Sequence, residues 1–314
     1  MSIAAVLFAA GRGNRLRPLT DEVAKPALPM LDVPLAAFGL SRLLATAPAV
    51  VMNVRHLPDS VTGALVPYVP TDGRFQTLYE DPEAYGTAGT LVALRDRIGP
   101  QVVTWNADVL TDLRPGDLLA AHEASGAPAT IAVREVPAGA DFVLDGARAA
   151  AFVDRRVRAA APGGVFAGAA VFEREVLFEL PETRPLGIGE TLLASLAGSG
   201  RLAVHRHRGY WRDVGTPAAY LEASLDLLSG RGPEPPGPWP GSILEVAGGR
   251  AYLGPDADVE GDLGPGAIVL SGAAVAGGAA VERSIVWPGE TVPAGETVTD
   301  AIWFGGRALA AGAG

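Results

Sequence analysis

Between residues 253 and 298, apolar side chains return every six positions: Leu253 and Val259; then Leu263, Val269, Val275 and Val281; then Val286, Val292 and Val298. Glycine and other small residues fill the gaps. A six-residue period matches neither the 3.6-residue helical turn nor the two-residue alternation of a strand. It fits a chain that coils in flat triangular turns, each side a short strand. Residues 243–304 are therefore expected to form about three coils of a left-handed parallel β-helix. The competing reading, a Gly/Ala-rich low-complexity tail, does not account for the retained phase.

The preceding chain follows another rule. Short β-rich apolar runs (Ala4–Phe8, Val50–Asn53, Phe75–Tyr79, Val102–Trp105, Thr130–Val133, Val165–Phe172, Arg201–His205) alternate with amphipathic stretches (Leu35–Leu44, Ser60–Val66, Ala88–Arg97, Pro115–His122, Gly189–Ala197, Pro217–Leu228). Alternation of this kind predicts an α/β domain over residues 1–229, with a mostly parallel sheet and helices on both faces. Ligands of such sheets sit beyond the carboxyl ends of the strands. The Pro/Gly-rich stretch 230–242 reads as a linker, and 305–314 as a tail.

Composition removes several function classes. The chain has 314 residues, a formal net charge of −10 and no cysteine. Disulfides and thiolate metal sites are thereby excluded, and the acidic balance argues against nucleic acid as a partner. No apolar run is long enough to span a bilayer. The opening Ile3–Ala10 lacks a basic flank and runs into glycines, so it reads as a buried strand rather than a signal peptide. A cytoplasmic protein is the expectation. Of the 25 basic residues, only Lys25 is lysine, which suggests a task suited to a compact ammonium rather than a planar guanidinium.

Lys25 lies close to a glycine loop. The opening strand ends in Ala10-Gly11-Arg12-Gly13-Asn14-Arg15-Leu16-Arg17-Pro18-Leu19-Thr20, followed by Lys25-Pro26. Gly11 and Gly13 permit the backbone geometry of a phosphate cradle, while Arg15 and Lys25 can neutralise a triphosphate and the charge on displaced pyrophosphate. This is not a P-loop, since no Gly-Lys-Ser/Thr closes it. The full string resembles the signature of sugar-nucleotide pyrophosphorylases, with Lys25 where that family keeps its phosphate-binding lysine. The resemblance implies a Rossmann-like (GT-A-like) nucleotidyltransferase domain acting on a nucleoside triphosphate and a sugar 1-phosphate.

Later stretches fit the same family in the same order. Tyr85-Gly86-Thr87-Ala88-Gly89 resembles the segment that lies against the base and sugar, though an ordinary glycine-started helix would look the same. Trp105-Asn106-Ala107-Asp108 ends a strand, and Trp211-Arg212-Asp213-Val214-Gly215-Thr216-Pro217 resembles the Trp-x-Asp-x-Gly-Thr-Pro motif. By resemblance, Asp108 and Asp213 hold Mg²⁺, a hard cation suited to one or two carboxylates plus phosphate oxygens. Gly168 would allow close approach to the sugar, and Asn106 would face the sugar phosphate. Asp154 and Arg155 stand where the family usually has a Glu-Lys pair, and could equally form a solvated turn. Glu190 could reach the sugar or simply place charge at a helix start.

Glu80 and Asp81 precede the Gly86 turn. A carboxylate there would accept from the N1–H and N2–H₂ donors of guanine, whereas uracil and thymine would repel it. The expectation is therefore GTP with mannose 1-phosphate, and UTP or dTTP with another sugar phosphate is the alternative. Two other classes stay in view. Hexapeptide coils also build acyltransferases, but no histidine follows His207. A non-catalytic subunit that binds nucleotide-sugar would not need intact Arg15, Lys25, Asp108 and Asp213. A homo-oligomer, packed through the β-helix, is expected, with Trp287 and Trp303 as interface or core residues.

Overall fold

The computed structural model describes residues 2–153 and 162–311. The chain begins with β1 (Ile3–Phe8). A glycine loop and α1 (Leu19–Glu22) lead to a small hairpin, β2 (Pro29–Met30) and β3 (Val33–Pro34), and then to α2 (Leu35–Thr46). Next come β4 (Val50–Val54), α3 (Pro58–Leu65), β5 (Phe75–Tyr79), α4 (Gly86–Leu94), β6 (Ile98–Asn106), β7 (Val109–Thr111) and α5 (Pro115–Ser125). The domain is completed by β8 (Ala129–Val136), β9 (Phe142–Asp145), β10 (Arg148–Phe152), β11 (Gly163–Glu173), α6 (Ala194–Gly198), β12 (Leu202–Arg206), β13 (Trp211–Asp213) and α7 (Pro217–Leu228).

The main sheet has the order β5-β4-β1-β6-β11-β8-β12-β10-β9. β1 explains why both faces are covered: Ala5 and Leu7 point into one apolar core with α2 and α7, whereas Val6 points into the other with α4 and α6, joined by Ile3 across a register shift before Ala5. Period-two alternation with both faces buried gives the near-continuous apolar run seen in the sequence. The expectation of a mostly parallel sheet needs correction. β5, β4, β1 and β6 are parallel, but β11 runs antiparallel to both β6 and β8. β9 and β10 form an antiparallel hairpin at the far edge. Its turn is Gly146-Ala147, closed by the Asp145–Arg148 pair, with Gly146 at φ 51°.

Past residue 241 the chain forms three stacks of short parallel strands. One stack aligns Leu253, Val269, Val286 and Trp303; the second aligns Val259, Val275 and Val292; the third aligns Leu263, Val281 and Val298. Apart from Trp303 these are the residues of the six-residue period, and together they make one separate apolar core. Gly272 and Gly278 turn corners between strands, with φ of 66° and 81°. Residues 305–314 were expected as a tail, but Arg307–Ala310 pairs antiparallel with Ala301–Phe304 and extends the first stack.

The first stack is buried on both sides. Its other face, Tyr252, Ile268, Ile285 and Ile302, belongs to the core of the α/β domain. Trp287 stands edge-on to Tyr220 of α7 and to Phe304, with ring centroids 6.3 and 5.4 Å apart. Asp32, in the β2–β3 turn, accepts from the Tyr252 hydroxyl and the Ser271 amide, both at 3.0 Å. Burial pushes its carboxyl up from the ordinary value, partly offset by those two hydrogen bonds.

Candidate active site

A cavity of about 370 Å³ opens beyond the carboxyl ends of β4, β1 and β6. Register places Phe8 beside both Asn53 and Asn106, so all three strands deliver a residue at or next to their carboxyl end to its wall. The Ala9 amide donates to Asn53 Oδ1 at 2.8 Å, fixing where the chain leaves β1. Ala10 and Gly11 then line the cavity. A Cβ on Gly11 would meet nothing within 4 Å, whereas one on Gly13 (φ 65°) would press on Lys25 Cβ and Thr20 Cγ2 at 3.0 Å. Gly11 thus borders open space and Gly13 lets the loop close on the lysine. Asn14 and Arg15 follow in an exposed 3₁₀ turn.

The lysine is the centre of the charge arrangement. Its side chain is only 8% exposed, and Nζ lies 2.8 Å from Asp108 Oδ2 and 3.4 Å from Asp213 Oδ1. A buried ammonium requires such partners, because desolvating it unpaired costs several kcal/mol. Arg15 Nη2 approaches the other Asp213 oxygen at 3.6 Å. A Cβ on Gly215 would fall 2.6 Å from that guanidinium, so the glycine makes room for it. The aspartates lie far apart in sequence. β7 and β13 bring them together by pairing antiparallel, with Asp213 opposite Val109 and the Val214 amide donating to the Asp108 carbonyl at 3.1 Å.

On the opposite wall, Glu80 is 5% exposed and fully engaged. Its Oε1 accepts from Asn53 Nδ2 and faces the Thr90 hydroxyl, both at 2.7 Å, and its Oε2 accepts from the Tyr85 amide at 2.9 Å. Glu80 thus anchors the loop into α4 while lining the cavity, whereas Asp81, also expected near the base, is exposed and outside the lining. Gly86 and Thr87 line the cavity, and Ala88 is buried in α4. Gly86 has φ 74°, and a Cβ there would lie 2.5 Å from the Leu186 carbonyl oxygen. Thr87 Oγ1 accepts from the Ile188 amide at 2.9 Å. Segment 186–188 thus clamps the α4 start. Asn53, Arg12 and Arg55 also line this cavity and were not singled out from sequence; the signal for Asn53 was a polar residue near the end of an otherwise apolar strand.

Toward the other end, Asn106 lines the cavity. Gly168 (φ 83°) sits in a bulge of β11, where four steps from Phe166 to Ala170 face two steps of β8. A Cβ on it would be 2.8 Å from Val109 Cγ2 and 3.3 Å from Asn106 Cβ, so the glycine keeps the Asn106 neighbourhood open. The same bulge exposes the Ala167 carbonyl to Trp211 Nε1 at 2.9 Å, tying it to β13. Glu190 is exposed at the start of a π-helical turn (Gly189–Leu193), outside the cavity lining. Asp154 and Arg155 lie outside the described residues.

A family model described as nucleotidyl transferase matches residues 4–230. The chain belongs to the nucleotidyl transferase family. It is a nucleotidyltransferase, and the resemblance to sugar-nucleotide pyrophosphorylases is met by relatives carrying such names. It is 26% identical to the mannose-1-phosphate guanylyltransferase of Mycobacterium tuberculosis, over 89% of this chain and 83% of that one. The mannose-1-phosphate guanyltransferase of Schizosaccharomyces pombe is 28% identical over 72% of this chain, which spans 64% of that relative's length. A glucose-1-phosphate adenylyltransferase of Leifsonia xyli is 28% identical over 95% of this chain and 84% of that one. Among solved structures, HddC from Yersinia pseudotuberculosis superposes with a TM-score of 0.60 at 17% identity, over 72% of this chain and all of that one, which is a likeness of fold. No helix among the described residues is long and apolar enough to cross a membrane.

Proposed function

We propose that this nucleotidyltransferase joins GTP to mannose 1-phosphate, giving GDP-mannose and pyrophosphate. The observation that carries the reading is the charge cluster of Arg15, Lys25, Asp108 and Asp213, of which Lys25 and Asp108 line the cavity at the strand ends. An oxygen of the sugar phosphate attacks the α-phosphorus, the bond to the bridging oxygen breaks, and pyrophosphate leaves with that electron pair. Two anions must be held in line and their charge neutralised, which is the work of placed cations and amides. Lys25 Nζ would donate to the α-phosphate or the sugar phosphate, and Arg15 to the β- and γ-phosphates. The Gly11–Gly13 loop would cradle the triphosphate, the Gly86–Ala88 turn would lie against the nucleoside, and Asn106, beside Gly168, would contact the sugar phosphate.

Asp108 and Asp213 both meet the one ammonium, at 2.8 and 3.4 Å. Among the described residues no cluster of three or more acidic or histidine side chains is present, which suits an ion completed by phosphate oxygens and water. Asp108 and Asp213 would hold Mg²⁺, supplying a Lewis acid for the phosphate oxygens. The preference for GTP and mannose 1-phosphate rests on the guanylyltransferase relatives. ATP with glucose 1-phosphate is the second reading, favoured by adenylyltransferase relatives that align over 95% of the chain. We assign residues 1–229 to catalysis and the three strand stacks to a left-handed parallel β-helix that packs subunits into a homo-oligomer.

The test is pyrophosphate release from a matrix of five nucleoside triphosphates against mannose, glucose and other sugar 1-phosphates, with Mg²⁺. Release that needs both substrates and is fastest with GTP and mannose 1-phosphate is expected. A different best pair would reassign the substrates, and no release from folded protein would favour a nucleotide-sugar-binding role without catalysis.

A further inference from the structure

At the nucleoside end of the cavity one charged group forms no ion pair among the described residues. Arg55 follows directly on β4 and lines the cavity together with Glu80, Ala84 and Gly86. Its Nη2 donates to the Pro82 carbonyl oxygen at 3.2 Å. Its Nε is buried with no hydrogen-bond partner, and among the described residues no carboxylate forms an ion pair with it. A guanidinium is a planar fork of donors with no acceptor, so under-used donors beside a cavity call for acceptors on the ligand. Glu80, on the same cavity wall, makes no ion pair with Arg55 and accepts instead from Asn53 and the Tyr85 amide.

We propose that Arg55 is the base-specificity residue of this site, donating two hydrogen bonds to the adjacent O6 and N7 acceptors of guanine. Guanine presents that acceptor pair on one edge, the edge an arginine fork matches. Adenine places the N6 amino donor beside N7, and a guanidinium cannot accept from it. One side chain thus favours GTP and disfavours ATP. The inference deepens the GTP reading above and rests on it.

The test compares GTP, ITP, 7-deaza-GTP and ATP, by pyrophosphate release and by equilibrium titration, on the intact protein and on Arg55→Leu and Arg55→Lys. ITP keeps O6 and N7, so the wild type should handle it within roughly threefold of GTP, while 7-deaza-GTP, lacking N7, should lose about tenfold. Arg55→Leu should lose about 5- to 150-fold with GTP, the range of one bidentate pair, and show no further loss with 7-deaza-GTP. Arg55→Lys, which keeps the charge without the fork, should behave like the leucine variant. The analogue comparison on the wild type stands even where a variant folds poorly. A wild type that prefers GTP yet accepts 7-deaza-GTP equally, or rejects ITP, overturns the role of Arg55 and leaves the GTP reading intact. So does an Arg55→Leu protein with an unchanged GTP-to-ATP ratio. A wild type that turns over another nucleotide better than GTP overturns the GTP reading and this inference with it.

Discussion

Lys25 and Gly86 show how far single residues constrain this site. Lys25 is buried, and the two carboxylates beside it are about 40% exposed, so the ammonium is held from the protein side while the acids face solvent. Gly86 carries a left-handed backbone directly against the Leu186 carbonyl. Gly86→Ala should therefore lower stability by about 3 kcal/mol or more, combining left-handed strain with overpacking, as read from the midpoint of urea unfolding. The motifs made Lys25, Asp108 and Asp213 legible in the sequence. What no spacing could reveal was that Glu80 is already engaged, because its partners come from β4, the Tyr85 amide and α4. A carboxylate looks equally available in sequence whether or not its lone pairs are taken.

Among the elements, the long apolar runs were legible and the short connecting strands were not. β7 and β13 have three residues each, too few to show a period, yet their pairing sets Asp108 beside Asp213. β9 and β10 carried a readable sign, a glycine-started two-residue turn, Gly146-Ala147, and were still absent from the expected strands. The bulge at Gly168 was marked only by a glycine inside a strand run, a sign shared by a bulge and by a close approach. The six-residue period identified one face of the first C-terminal stack. Tyr252, Ile268, Ile285 and Ile302 on its other face escape that period because they pack on the α/β domain rather than inside the coil. Ile285→Ala should thus cost about 2–5 kcal/mol, the usual range for a buried isoleucine, in a denaturant titration. A loss well under 1 kcal/mol would mean that this face is not firmly docked.

In the whole molecule, the two parts share a core rather than hanging on a linker. Trp287 meets Tyr220, the isoleucine ladder meets α7 and its surroundings, and Asp32 bonds to two residues of the coils. Asp32 also sits seven residues after Lys25, so the segment that presents the lysine is held at its far end by the C-terminal stacks. The site is assembled from chain segments around residues 15, 25, 108 and 213, positioned by β1, the β7–β13 pair and the start of α7. If this assembly is the centre of nucleotidyl transfer, removing one charge without changing shape should stop the reaction and spare the fold. The decisive measurement is pyrophosphate release by Asp108→Asn beside the wild type, with the best nucleotide and sugar 1-phosphate and with unfolding followed in parallel. The account predicts a fall of about 10²–10³-fold or more, the scale of losing one placed electrostatic group, with an unchanged melting transition. Turnover within a few-fold of the wild type would contradict it.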